Sequence, residues 1–184
     1  MWTAAILDGG RARRLGGLDK GALAVGAGSI RERQLDTLRE LTPHILVIGR
    51  GGIPDRMPGM GALGGIYTAL VEAPTERVLI LACDMPFVTA PFLAHLVAVS
   101  DDPAWDVVLP VDAAGRHPLC AVYRRRVTAR LQERLDRGEL RVQDAVAEMA
   151  VRAVGSDELT PFNRDGRLLT NVNTPEDYTR AQAR

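Results

Sequence analysis

A three-layer α/β fold built on a mostly parallel sheet is what this sequence predicts, and three observations predict it. Short apolar runs recur along the chain. Segments with apolar residues at helical spacing separate them. Several runs stop abruptly at Asp, Gly or Pro, as buried strands do when they feed turns. The 184 residues can bury a sizeable core without disulfide or metal staples, so we expect a single domain spanning residues 1–184.

The elements follow in order. Thr3 to Leu7 is an apolar run that stops at Asp8-Gly9-Gly10, a strand entering a tight turn. Arg11 to Lys20 holds too much glycine and charge for a core and reads as a loop. Ser29-Ile30-Arg31-Glu32 has the form of a capping box, and Ile30, Leu35, Leu38 and Leu41 continue it as a helix before Pro43. Ile45 to Ile48 is the next strand, and Ala62 to Ala73 a helix ended by Pro74. Val78 to Ala82 is the strongest buried-strand signal and runs into Cys83-Asp84-Met85-Pro86. Thr89 should N-cap a helix through Val99. Val107 to Val111, Pro118 to Tyr123 and Ala150 to Val154 read as further strands. Val127, Leu131 and Leu135, then Val142, Ala145, Val146 and Met149, make helical stripes. Thr174-Pro175-Glu176-Asp177 sets a cap residue before a proline suited to the first helical position.

Composition excludes several classes. Hydrophobic residues make up 46% and charged residues 25%, the balance of a globular protein. Lys plus Arg number 23 and Asp plus Glu 23, so no net charge draws the chain to nucleic acid or an anionic membrane. Aromatic residues, at 4%, are too few for base-stacking platforms. The segment Met1-Trp2-Thr3-Ala4-Ala5-Ile6-Leu7-Asp8 does not read as a signal peptide, and no apolar run approaches the ~18 residues of a spanning helix. A cytoplasmic protein is expected. Cys83 and Cys120 each sit in an apolar run and read as buried thiols, and no C-x-x-C pair offers a zinc site.

Three features point to chemistry. Gly59-Met60-Gly61-Ala62-Leu63-Gly64 has the G-x-G-x-x-G form, with Asp84 twenty residues past Gly64. The dinucleotide reading needs a strand directly before the glycines, and Pro54-Asp55-Arg56-Met57-Pro58 stands there instead. A glycine-rich turn onto a helix N-terminus still suits an anion or a base. No P-loop sequence occurs. The second feature is the loop after the first strand. Its glycines let backbone N–H groups approach an anion, and its arginines and lysine supply charge to phosphate oxygens. The third is Asp84 at the carboxyl end of a buried strand, where open α/β sheets gather ligands. Beside a triphosphate loop it is a candidate Mg²⁺ ligand, because Mg²⁺ uses one or two carboxylates together with phosphate oxygens.

These residues carry a resemblance. Leu7-Asp8-Gly9-Gly10-Arg11-Ala12-Arg13-Arg14-Leu15-Gly16-Gly17-Leu18-Asp19-Lys20 resembles the signature loop of the molybdenum cofactor guanylyltransferases. Gly61-Ala62-Leu63-Gly64-Gly65, Cys83-Asp84-Met85-Pro86 and Asn171-Val172-Asn173-Thr174-Pro175-Glu176-Asp177 resemble further segments of that family, in order from about residue 3 to 178. The resemblance implies a Rossmann-like nucleotidyltransferase fold. It also implies transfer of GMP from GTP to the phosphate of molybdenum-molybdopterin, with pyrophosphate released. Mg²⁺ is the implied cofactor, GTP and molybdenum-molybdopterin the substrates, and other molybdenum cofactor proteins possible partners. Leu7, Asp8, Gly9, Gly10, Lys20, Asp55, Gly61, Asp84, Asn171 and Asn173 become candidate nucleotide or product contacts. Arg14, Lys20 and Asp84 become the catalytic candidates, with Asp84 on the metal. A cytidylyltransferase, a sugar-phosphate nucleotidyltransferase of the same fold, and a non-catalytic cofactor carrier remain as alternatives.

Two departures from the family stand out. Its pattern has L-A-G-G where this chain has Asp8, and Ile48-Gly49 stands where the family often carries an Asn toward the base. A carboxylate facing a triphosphate repels it, so Asp8 must turn to solvent, to an arginine such as Arg11, or to the guanine edge. The first two are favoured, because an Ala suffices in the family. Asp55 could instead be an ordinary Pro-Asp turn residue. Asn171 and Asn173 would share one face if their segment is a strand. His44 and His95 read as structural or surface residues, His117-Pro118 as a pterin-side candidate. Arg124-Arg125-Arg126 reads as a solvated helix start or, alternatively, as a steering patch for an anionic cofactor.

Overall fold

In Thr3–Asp8 every residue is buried, and this strand, β1, runs through the middle of the sheet because both its faces are covered. The structure, a computed structural model, describes residues 1–9, 20–26 and 28–182. The remaining strands are β2 (Ala24–Val25), β3 (Gly28–Ser29), β4 (Ile45–Gly49), β5 (Arg77–Ala82), β6 (Val107–Asp112), β7 (Gly115–Arg116), β8 (Cys120–Arg124) and β9 (Val151–Val154). Seven of them form the main sheet in the order β4-β1-β5-β8-β6-β7, with β9 beside β6, while β2 and β3 make a separate short hairpin. β4, β1 and β5 pair in parallel, as do β6 and β9. β8 runs against both β5 and β6, which leaves those two pointing the same way.

Successive side chains of a strand face opposite sides, and the core divides accordingly. Ala4, Ile6, Leu79, Leu81 and Val122 join one cluster with Phe92, Leu93 and Leu96 of α3 (Ala90–Val99) and Leu38 of α1 (Ile30–Arg39). Ala5, Leu7, Val78, Ile80 and Tyr123 join the other. That second cluster is covered by α2 (Gly61–Glu72), α4 (Thr128–Asp136) and α5 (Val142–Ala147). Three layers and a mostly parallel sheet are therefore present as expected. α6 (Ser156–Leu159) and α7 (Pro175–Gln182) complete the helices. α7 packs on the β2–β3 hairpin through Ala181, Val25 and Ile30, and the Tyr178 hydroxyl donates to the Ala24 carbonyl at 2.9 Å.

Local signals explain the boundaries. Ser29 and Glu32 close a reciprocal capping box, the Glu32 N–H donating to Ser29 Oγ at 3.2 Å and the Ser29 N–H to Glu32 Oε2 at 2.8 Å. Thr174 caps α7 in the same way with Asp177, which accepts from the Asn173 and Thr174 N–H groups at 3.0 Å. Thr89 occupies the N-cap of α3, but its side chain makes no capping bond; a proline in the first turn sets the entry instead. Both thiols are buried and unbridged, and burial pushes the Cys120 thiol up to about 12.

Three expectations need correction. Residues 171–173 are not a strand, although Val172 is fully buried between a part-buried Asn173 and an exposed Asn171. The hairpin β2–β3 and the strand β7 come without an apolar run to announce them, being two residues each. Arg124 is no solvated helix start. Its guanidinium caps the end of α3, donating to the carbonyls of Ser100 at 2.8 Å and Trp105 at 3.0 Å, and Arg126 pairs with Asp106 at 2.6 Å.

Candidate functional site

Parallel strands deliver their carboxyl ends to one rim, and here three ends are stitched together there. Asp8 lies opposite Gly49 in the β1–β4 register. The Arg50 N–H donates to the Asp8 carbonyl at 2.9 Å, and the Cys83 N–H to the Leu7 carbonyl at 3.2 Å. Gly49 has φ +107°, and a Cβ there would collide with the Asp8 carbonyl oxygen, so glycine is required where β4 meets β1. Among the described residues nothing comes within 4 Å of where a Cβ on Gly9 would stand.

The turn carrying Asp84 sits beside these ends and is held from two sides. From above, the Val172 N–H donates to the Asp84 carbonyl at 2.8 Å, which brings Asn171 and Asn173 alongside Asp84. From the helix layer, Gln34 of α1, only 1% exposed, donates from Nε2 to the carbonyls of Ala82 at 2.8 Å and Met85 at 3.0 Å. Asp84 itself is part-buried. Its neighbours are hard oxygen and amide donors. Among the described residues no three His, Cys, Asp or Glu side chains converge on one point. A carboxylate flanked by two amide-bearing residues suits a divalent cation that arrives with phosphate oxygens.

Gly61 opens α2, and Asp55 lies in the loop before it, tied to the helix through Thr68. The Asp55 Oδ1 accepts from the Met57 N–H at 2.9 Å and the Thr68 hydroxyl at 2.8 Å, so this oxygen does the work of a turn residue. Gly61 opens α2 with φ +65° and has an exposed face. Farther along α2, a Cβ on Gly64 would stand 2.8 Å from the Met57 carbonyl, and one on Gly65 3.4 Å from the Leu7 side chain. The glycine motif thus serves close helix–sheet packing at its far end and presents an open helix start at its near end.

Asp8 is the surprise. Its side chain is 3% exposed, so it does not turn to solvent, and it forms an ion pair with Arg31 in the first turn of α1. The expected kind of partner, an arginine, is present, but it comes from the helix layer. Gly10, Arg11 and Arg14 lie outside the described residues. Lys20 opens a 3₁₀ turn over Lys20–Ala22, and its side chain also lies outside them. His117 Nε2 and Asp112 Oδ1 are 2.8 Å apart where β6 turns into β7, a pairing at the same end of the sheet. His95 packs on the Phe162 ring with centroids 5.2 Å apart. Arg124 pairs in register with Arg77 at the start of β5, at the opposite rim, which removes the steering role considered for Arg124–Arg126.

Sequence reasoning found the strand ends and missed Arg31 and Gln34. The two are one helical turn apart on α1, and both aim at the rim. Polar residues three apart on an otherwise amphipathic helix were the available signal.

The sheet order and a rim lined by glycine-bearing and carboxylate-bearing strand ends define the class, a nucleotidyltransferase. Residues 4–152 match the family model described as the MobA-like NTP transferase domain. The chain belongs to that family. It is 30% identical to a probable molybdenum cofactor guanylyltransferase of Pelotomaculum thermopropionicum, covering 98% of this chain and 91% of that one. The fold matches molybdopterin-guanine dinucleotide biosynthesis protein A of Archaeoglobus fulgidus with a TM-score of 0.85, at 24% identity over 99% of this chain and 97% of the other. It also matches a Mycobacterium tuberculosis protein crystallised in complex with manganese, with a TM-score of 0.68 at 20% identity over 98% and 97% of the two chains.

Proposed function

We propose that this nucleotidyltransferase, acting as one domain over residues 1–184, transfers GMP from GTP to the phosphate of molybdenum-molybdopterin. An acceptor phosphate oxygen attacks the α-phosphorus of GTP in line. The bond from that phosphorus to the bridging oxygen breaks, and pyrophosphate leaves with the electron pair. The observation that carries the reading is the junction of Asp84 with residues 171–173 beside the ends of β1 and β4. The full-length similarity to molybdenum cofactor guanylyltransferases supports the choice of substrates.

Chemistry of this type depends on positioning and charge neutralisation more than on a covalent catalyst. Backbone N–H groups at Gly9 and Gly10 are assigned to the phosphates, with Leu7 just before the end of β1 on the nucleotide side. Arg14 and Lys20 offset charge on the departing pyrophosphate. Asp55 and Gly61 line the nucleotide side, and Asn171 and Asn173 orient the acceptor. Asp84 would hold Mg²⁺, which when bound screens phosphate charge at the reacting centre. Two unbridged thiols agree with a reducing compartment, and we place the reaction in the cytoplasm.

The test is a thermal-shift panel of GTP, CTP, ATP and UTP with Mg²⁺, followed by pyrophosphate release with a pterin acceptor. At a hundredfold excess over Kd, the bound nucleotide should stabilise the fold by about 2.7 kcal/mol. GTP should give the largest shift and support turnover. A larger shift with CTP, or GTP binding without pyrophosphate release, overturns the reading in favour of a cytidylyltransferase or a carrier.

A further inference from the structure

We propose that Arg31 is a positioning residue of the nucleotide site, and that Asp8 is its internal counter-ion rather than a nucleotide contact. Three separate parts of the chain meet at this pair. Asp8 ends β1, and Arg31 sits in the first turn of α1. Gly21 is the middle residue of the Lys20–Ala22 turn, and a Cβ on it would stand 3.0 and 3.1 Å from Arg31 Nη2 and Nε and 3.2 Å from Asp8 Oδ1. Asp8 and Gly21 therefore both lie against one guanidinium.

The helix gives Arg31 no reason to be where it is. A cation in the first turn of a helix opposes the positive end of the macrodipole. The side chain is 26% exposed and the Asp8 carboxylate 3%, so the carboxylate is the deeper member and the arginine reaches inward to meet it. A buried carboxylate is tolerated when it is paired, and becomes strongly unfavourable when its partner is removed. An unpaired Asp8 would also place negative charge at the strand end next to incoming phosphates. The pair thus cancels a charge that would repel the substrate. It further explains how this chain carries Asp8 where its resemblance led us to expect Ala.

This inference rests on nucleotide binding at the rim, but not on the identity of the base. It is tested by titrating GTP and CTP calorimetrically into wild type, Asp8→Ala, Arg31→Ala and the double variant, all below their melting temperatures. On whichever nucleotide wild type prefers, Arg31→Ala should raise Kd about tenfold or more, within the usual range of coupled pairs. Asp8→Ala alone should change Kd by less than about threefold, and adding it to Arg31→Ala should restore affinity to that level. A lowered melting temperature with unchanged Kd in Arg31→Ala overturns the proposal, as does a double variant as weak as Arg31→Ala, which would make Arg31 a direct ligand. If Arg31→Ala does not fold, Arg31→Gln serves, because it keeps a polar side chain and loses the charge; unchanged affinity there, with Asp8→Ala adding nothing, is equally fatal. Preference for CTP defeats the guanylyl reading while leaving this comparison readable, and binding of neither nucleotide defeats both.

Discussion

Gln34→Leu should separate what holds the Asp84 turn from what acts within it. Leucine is close in size to the enclosed glutamine though shorter and branched, so the change removes polarity with a modest change of shape. It deletes two donor bonds, of 2.8 Å to the Ala82 carbonyl and 3.0 Å to the Met85 carbonyl. At about 0.5–1.5 kcal/mol each, their loss amounts to roughly 1–3 kcal/mol. Among the described residues the Gln34 Oε1 atom is buried without a hydrogen-bond partner, and replacing it relieves about 1 kcal/mol of that loss. A net destabilisation of about 0–2 kcal/mol is expected, read as a lower urea midpoint at unchanged m-value. The functional effect should be larger in proportion. Groups that orient a metal ligand typically matter by about 10–100-fold in metal affinity or activity. Mn²⁺ or Mg²⁺ titration and GTP-dependent pyrophosphate release on the folded variant measure this. A destabilised variant with wild-type metal affinity and kcat would show that Gln34 serves the fold alone and that the bracing argument is wrong.

Asp84→Asn should leave the fold intact, since the Val172 bond uses the backbone carbonyl, and should lower turnover by about 10²–10³ at saturating Mg²⁺; near-wild-type rates would remove Asp84 from the metal. Asp106 gives a pH test remote from the site. Burial pushes its carboxyl up, but the Ala150 N–H, the Arg126 hydrogen bond and the charges of Arg126 and Arg130 outweigh burial and hold it below its ordinary value. A depressed folded-state pKa contributes stability that is present above the unfolded value of about 3.9 and fades as pH falls through the folded one. Wild type should therefore exceed Asp106→Asn in denaturation midpoint at pH 7, with the gap closing below about pH 4; a gap independent of pH would mean that the charge of Asp106 contributes nothing.

Much of the sheet was readable because its strands are buried on both faces. Val78 to Ala82 and Thr3 to Leu7 are continuous apolar runs, and no other arrangement would enclose them. The β2–β3 hairpin escaped because two residues per strand carry no periodicity. At the site, Gly9 and Asp84 were visible because they follow apolar runs, and Asn171 and Asn173 through the family resemblance of the segment that carries them. Arg31 and Gln34 were not. In a helix reading Ile-Arg-Glu-Arg-Gln-Leu, both look like solvent-facing residues, and only the approach of β1 and the Ala82–Met85 turn makes them interior. The arginine run at 124–126 misled for the same reason. Its partners, the carbonyls at the end of α3 and Asp106, lie about twenty residues earlier in sequence and adjoin it only through the β6–β8 pairing.

The hydrogen bond from Val172 to the Asp84 carbonyl also sets a schedule. During synthesis β1, β4, β5 and α1 emerge first, and Gln34 can reach the Ala82–Met85 turn as soon as that turn exists. The other support comes 88 residues after Asp84. At about 5–20 residues per second, that interval is roughly 4–18 s. Throughout it the nascent chain has the carboxyl ends of β1, β4 and β5 without the segment that braces the Asp84 turn from its other side. Synthesis of Val172, rather than formation of those strands, is the moment at which that turn can first gain both supports.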